Sequence, residues 1–340
     1  RGFVHMSVNS KNARRRLSLL ASSSLVGAAL LAGIGGVSVV ALAPTAAFAA
    51  DECGDPSANG NLPDPLVCPA GVYPTGIDYT TTTNGGIGLG LVDGVTVTTG
   101  GIRVFGNSGE PLTVSQVTLV PGNGDPHIHN GVGFQRAIEL VSPDDYIVIN
   151  FTDFDAGDGV PFIAGWAGGI YAHTGGVGSV TITMTSGDVQ SGSQGFAVDA
   201  VAGSNGINID LGATDLLAVT TFADGGGIYT ASTGNVDISL TGSITDIGAF
   251  AANGIQANAA GDLTISATGL IDVTGSGVLA QTSFAGDIDI TTGTVIAGGP
   301  FGVSGQAIGG GDVTIVSNGN VTGVVDGVRA LTDNGGAIDI

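Results

Sequence analysis

Beyond residue 49 the chain contains no lysine, and its only basic side chains other than histidine are Arg103, Arg136 and Arg329, set against all 29 acidic residues of the sequence. A surface of that sign repels phosphate backbones and anionic lipid, which argues against nucleic-acid and membrane-surface binding. Glutamate is scarce too: Glu52, Glu110 and Glu139 are the only three, and the remaining acids are aspartate. Aspartate is a turn and cap residue where glutamate is a helix former, and with 61 glycines the balance runs strongly against helix. Disorder is excluded from the other side, because 43% of the residues are hydrophobic, many of them Val, Ile and Leu. No Gly-x-Ser-x-Gly elbow and no cofactor motif occurs, so a serine hydrolase and a resident cofactor have no support.

What is present begins with an export signal. Lys11, Arg14, Arg15 and Arg16 precede an apolar run from Leu17 to about Ala43, followed by Ala47-Phe48-Ala49 ahead of the first acids. This is the pattern of a secretory signal peptide over residues 1–49, cleaved after Ala49 or Ala50, with residues 1–5 lying upstream of Met6. The run is long enough to span a bilayer, but Gly, Ala and Ser dilute it and a small-x-small site follows. In the oxidising compartment this implies, Cys53 and Cys68 are expected to pair and to close residues 50–75 into an N-terminal cap. A loop of that size contributes roughly 3 kcal/mol through chain entropy.

The strongest signal is self-similarity. Units start at Gly234, Gly261, Gly286, Gly311 and Gly336, and the same pattern reaches back to Gly178. Each opens on a strict alternation such as Val236/Ile238, Leu263/Ile265, Ile288/Ile290 and Val313/Ile315 around a polar middle residue. A Gly-x-Val/Ile step and a Gly-Ile/Val-x-Ala step follow, with Gly and Asn at the corners, where a positive φ is expected. One such unit cannot bury its own apolar face, but stacked units can. The period therefore predicts an all-β chain, a parallel β-helix of three-strand coils of about 25 residues; a β-sandwich has no reason for a fixed period. Residues 178–340 are read as regular repeats and 76–177 as an irregular start with longer loops. The chain stops at Ile340 within a repeat, which is read as truncation of a longer protein.

A signal segment, a short Cys-bounded stretch and coils opening on Gly-Asp-Ile/Val/Leu-x-Ile resemble the passenger domains of Gram-negative autotransporters, the type V secretion family. The resemblance covers residues 6–340 by pattern and by no catalytic motif. It implies a C-terminal β-barrel translocator, passage through the outer membrane, and a location at the cell surface or outside the cell. It also implies a non-catalytic adhesin or structural module whose partners are host or neighbouring-cell surface components, glycans among them. No barrel signature is present in these residues, and two-partner secreted haemagglutinin-like proteins share the same coils.

Candidate chemistry is sparse. Asp262, Asp287 and Asp312 follow the leading glycine in three successive units, so stacking aligns their carboxylates one strand spacing apart, about 4.8 Å, as a weak Ca²⁺ site. Asp125-Pro-His127-Ile-His129-Asn130 offers two imidazoles in alternation but no third protein ligand. Asp153-Phe-Asp155-Ala-Gly157-Asp158 resembles a calcium loop, although Gly157 stands where an EF-hand needs Asp or Asn. The alternative function is a secreted β-helical polysaccharide lyase or glycoside hydrolase. Clustered Asp with basic residues would carry it, but the three arginines are far apart in sequence.

Overall fold

The computed structural model describes Cys53 and residues 66–340, apart from 81–85, 93, 108–110, 118–126, 131–135, 152–161, 193–194, 220–224 and 249. The expected signal segment, Asp125, and Asp153, Asp155 and Asp158 lie outside the described residues, as do the side chains of His127 and His129.

The described chain is all-β, and every pairing between strands is parallel. Strands fall in strict rotation into three sheets of 11, 10 and 10 strands, so that every third strand along the chain is a neighbour in the same sheet. That topology is a parallel β-helix. One regular turn shows the construction: β22 (Leu263–Ala267), β23 (Ile271–Val273) and β24 (Val278–Thr282) stack on β25 (Ile288–Thr292), β26 (Val295–Ala297) and β27 (Phe301–Ala307). Each sequence step named above is one of these strands.

Alternation decides which side chains face inward. In β22 and β25 the first, third and fifth residues are buried and the second is exposed. Stacking then turns Ile147, Val180, Ile207, Val236, Leu263, Ile288 and Val313 into a column in which no member is more than 3% exposed. Each fully buried aliphatic side chain contributes about 1.5–3 kcal/mol, which an isolated turn cannot collect. On the outer side, Asp237, Thr264, Asp289, Thr314 and Asp339 alternate in register, so no two carboxylates of this column face each other across adjacent strands.

The leading glycines are required for a different reason from the one the sequence suggests. Gly261, Gly286 and Gly311 are absent from the positive-φ positions, which include Gly206 and Gly212. A Cβ on Gly286 would instead collide with the carbonyl oxygen of Gly261, and one on Gly311 with that of Gly286. Backbone crosses backbone at this corner, and no side chain fits between turns.

The helix also starts earlier than expected. β1 (Leu66–Cys68) and β2 (Gly71–Tyr73) pair with β4 (Ile87–Val92) and β5 (Val95–Val97), so the stretch read as a separate cap already supplies strands of the first turn. These strands are only three residues long and lack the Gly-Asp opening, which hid them. Cys53 and Cys68 are disulfide-bonded, with Cα atoms 4.6 Å apart, and Cys68 is a buried residue of β1. The turns following are irregular in length: Leu112, Ile147 and Val180 are register partners although they lie 35 and 33 residues apart. From Leu263 to Ile338 the step is 25.

Candidate functional site

The outward residues of the third sheet form one unbroken column. Through β3 (Ile77–Thr80), β6 (Ile102–Phe105), β9 (Arg136–Ser142), β12 (Gly168–Thr174), β15 (Gly195–Ala202) and β18 (Gly225–Ser232), the register places Asp78, Arg103, Glu139, Tyr171, Asp199 and Tyr229 one above another. The column continues through Gln256, Leu279 and Ser304 to Arg329 in β30 (Asp326–Thr332). All three arginines beyond residue 49 therefore lie on one sheet, Arg103 and Arg329 in this column and Arg136 at the start of β9.

The upper part of this face is an ionic and aromatic patch. Glu139 sits between Arg103, 3.4 Å away, and Arg136, 3.0 Å away, and Arg103 also reaches Asp78 at 3.7 Å. The Arg136 guanidinium lies 3.2 Å from the centre of the Tyr171 ring. Tyr171 in turn stacks on His173 at 3.6 Å, two residues along the same strand. His173 Nε2 is 2.9 Å from Asp199 Oδ1, and Phe196 tilts against Tyr229 at 5.2 Å. Burial pushes the Tyr171 hydroxyl above its usual value; Arg136 opposes this, while Asp199 and Glu139 add to it. At neutral pH the phenol thus stays protonated, a hydrogen-bond donor and not a base. Glu139 and Asp199 are both held by cationic or imidazole neighbours. The patch presents charged and aromatic groups to a polar ligand.

The expected cation column is built differently. Asp262, Asp287 and Asp312 do stack, but each carboxylate accepts a hydrogen bond from a backbone N–H one turn on: Asp287 N to Asp262 Oδ1 at 3.1 Å, Asp312 N to Asp287 Oδ1 at 2.9 Å, and Ala337 N to Asp312 Oδ1 at 2.7 Å. Asn235 starts the series by accepting from Asp262 N at 3.0 Å. The same residues' carbonyls accept from the preceding turn, for example Leu263 N to Asp287 O at 2.9 Å. The column is a side-chain rung that extends the first sheet around a corner where the ladder would otherwise break. Among the described residues no group of three or more His, Cys, Asp or Glu is arranged to hold a metal ion. The backbone of His127 and His129 lies in β8 (His127–Asn130), between β5 and β11 (Phe162–Gly165) of the second sheet.

A second acidic feature was not anticipated. On the outside of the second sheet, Asp188 and Asp215 are register partners in β14 (Ser186–Ser191) and β17 (Ala213–Ala218). They border a cavity of about 290 Å³ with Phe162 and Leu217 among its walls. Asp215 Oδ1 accepts from Ser243 N at 2.8 Å and from Ser243 Oγ at 2.6 Å. Burial and the Asp215 charge raise the Asp188 carboxyl above its ordinary value.

Sequence reasoning missed the meeting of Arg103, Arg136 and Glu139 because the lengthened turns conceal the register. A hint was available in the alternation Arg136-Ala-Ile-Glu139-Leu, which marks an outward acid on a strand. Comparison with protein-family models, curated proteins and solved structures finds no match.

Proposed function

We propose that the protein is an exported, surface-exposed passenger module that attaches to components of a neighbouring surface through the outer face of its third sheet and performs no reaction. The observation that supports this most is the state of the carboxylates on that face. Glu139 lies between two guanidinium groups and Asp199 against His173. Groups tied in this way are held in place to orient a ligand's hydroxyls or charges. Stacked strands also make the face rigid, which lowers the ordering cost of binding an extended partner. Export to a cell surface, and a β-barrel translocator beyond these residues, remain part of the proposal and rest on the signal-like segment and the coil pattern.

One observation favours the glycan-active alternative, namely the Asp188/Asp215 pair. A carboxyl raised by its surroundings beside a second carboxylate is how the acid of a glycoside hydrolase is set up. A panel of neutral and acidic polysaccharides incubated with the mature chain separates the readings. We expect retention of the chain on one or more of them and no release of reducing ends. Sustained release abolished by Asp188→Asn or Asp215→Asn overturns the binding-module reading in favour of the enzyme.

A further inference from the structure

Below Tyr229 the face of the third sheet changes character, and with it the chemistry it can recognise. A groove of about 210 Å³ runs across β21 (Asn253–Ala259), β24, β27 and β30. Gln256, Asn258, Gln281 and Gln306 bring four side-chain amides to it, with Asn258, Gln281 and Gln306 in one register column. An amide both donates and accepts, as a sugar hydroxyl does, so such a column can satisfy hydroxyls whichever way they point. Neighbouring amides stand one strand spacing apart, about 4.8 Å, close to the length of a pyranose unit in an extended chain. Phe301 supplies an apolar ring at the groove's edge for a sugar face, with the Arg329 guanidinium 4.9 Å from its centre.

Two features of charge narrow the ligand further. No Asp or Glu lines this groove, in a chain with 29 acids. Arg329 is the one charged side chain among the residues that line it. A planar, always-charged fork matches an incoming carboxylate in two-point geometry. We propose that this groove binds an acidic polysaccharide, a chain of uronate-type sugars, with the amides reading hydroxyls, Phe301 packing against a ring, and Arg329 pairing with a sugar carboxylate. The inference rests on the reading of the protein as a surface-binding module and names the ligand class of that face.

The test is calorimetric titration of the mature full chain with tetragalacturonate and with its fully methyl-esterified form, which removes the charge and keeps the sugar. The acid form should bind and the ester should bind at least tenfold more weakly. Arg329→Gln should bring the acid form down to the affinity of the ester. Gln281→Ala should weaken both forms severalfold. Thr264→Ala, on the outer side of the first sheet, should leave the affinity for both forms unchanged. No binding by the wild type, equal affinity for acid and ester, or full affinity in Arg329→Gln each overturns the proposal. Should Arg329→Gln lose its strand signal by circular dichroism, Arg329→Lys decides instead: the charge stays, the fork is lost, and affinity for the acid form must still fall. Retention of the wild type on intact cell surfaces is measured in parallel. Retention without uronate binding overturns only the ligand assignment, and no retention on any surface overturns the binding-module reading itself.

Discussion

The turns after Leu263 and those between Leu112 and Val180 solve the same packing problem with different amounts of chain. In the first group each turn takes 25 residues, the corners close backbone on backbone, and an aspartate carboxylate serves as an extra rung between turns. In the second group a turn takes 33 to 35 residues, yet the inward partners remain in register, Leu112 with Ile147 and Ile147 with Val180. The connections therefore do not set the register; the inward columns do, because a slip of one residue would expose every buried side chain of a strand. Freed from a fixed length, the longer turns accompany the ionic and aromatic cluster around Glu139, while the short ones carry repetitive Asp, Thr and amide side chains. Regularity serves the stack and irregularity diversifies its surface.

The sharpest way to break this comparison is to damage a regular turn and ask whether the irregular ones notice. Ile290 is 1% exposed. Ile290→Asp places an unpaired charge in the apolar column, at a cost of several kcal/mol, on the order of the largest single-site effects. Because each turn touches only its neighbours, amide protection in Leu263–Ala267 and Val313–Ser317 should collapse while Ile147–Phe151 keeps most of its own. Equal loss in all three strands, read by hydrogen exchange, would contradict turn-by-turn stability.

A smaller effect distinguishes the corners. Gly286→Ala drives a methyl group into the Gly261 carbonyl of the preceding turn and should cost about 1–3 kcal/mol, a typical overpacking penalty. The same change at Gly71, in the first turn, meets nothing closer than Pro69 O at 3.9 Å and should be nearly neutral. Comparable denaturant midpoints for the two variants would mean that the close approach is not what the repeat selects.

The aspartate rung makes a finer prediction. Asp287→Ala removes the acceptor of the Asp312 N–H and should lower the melting temperature by roughly 1–3 °C, the scale of one partly exposed hydrogen bond. Asp287→Asn keeps an acceptor oxygen, as Asn235 does naturally, and should melt at or slightly above the wild type. Melting with and without millimolar Ca²⁺ at matched ionic strength completes the test. A Ca²⁺-dependent gain present in the wild type and lost in Asp287→Asn would make the column a cation site instead of a rung.

The smallest expected effect belongs to Asp188. Its carboxyl is raised in the folded state by burial and by Asp215, so folding favours the protonated form. The destabilisation is absent below the unfolded carboxylate value and grows as the pH rises through that value to the folded one. Asp188→Asn should accordingly stabilise the protein slightly at neutral pH and not at about pH 3, near and below ordinary carboxylate values. A melting difference of the same size at both pH values would assign the effect to packing and not to charge.

Much of the fold was legible before any coordinates. The alternations at Val236/Ile238 and Ile288/Ile290 mark one buried face, and the recurrence of Gly-Asp every 25 residues marks a stacked turn, because both are local consequences of strand geometry repeated without insertion. Residues 66–73 were not legible as strands, since three-residue segments carry too little alternation to separate from a loop. The aspartates after the leading glycines were recognised as a column, but not the hydrogen bonds their carboxylates accept, which depend on backbone N–H groups that only stacking brings within reach. The leading glycines were likewise recognised, but for their conformational freedom, when the backbone of the preceding turn is what excludes a side chain.

The sequence by itself determined the all-β class, the repeat, the inward columns and the alternation that keeps Asp237, Asp289 and Asp339 apart, all of which follow from periodicity within a turn. Tertiary structure alone decided that Arg103, Arg136 and Glu139 meet, that all three arginines share one face with Tyr171, Phe301 and the amide column, and that Asp188 stands beside Asp215. Those contacts join residues from different turns, and where a turn gains eight to ten residues beyond the repeat, sequence spacing no longer tells which outward side chains stand opposite each other. The buried columns supply that register, and they do so only once the chain has stacked.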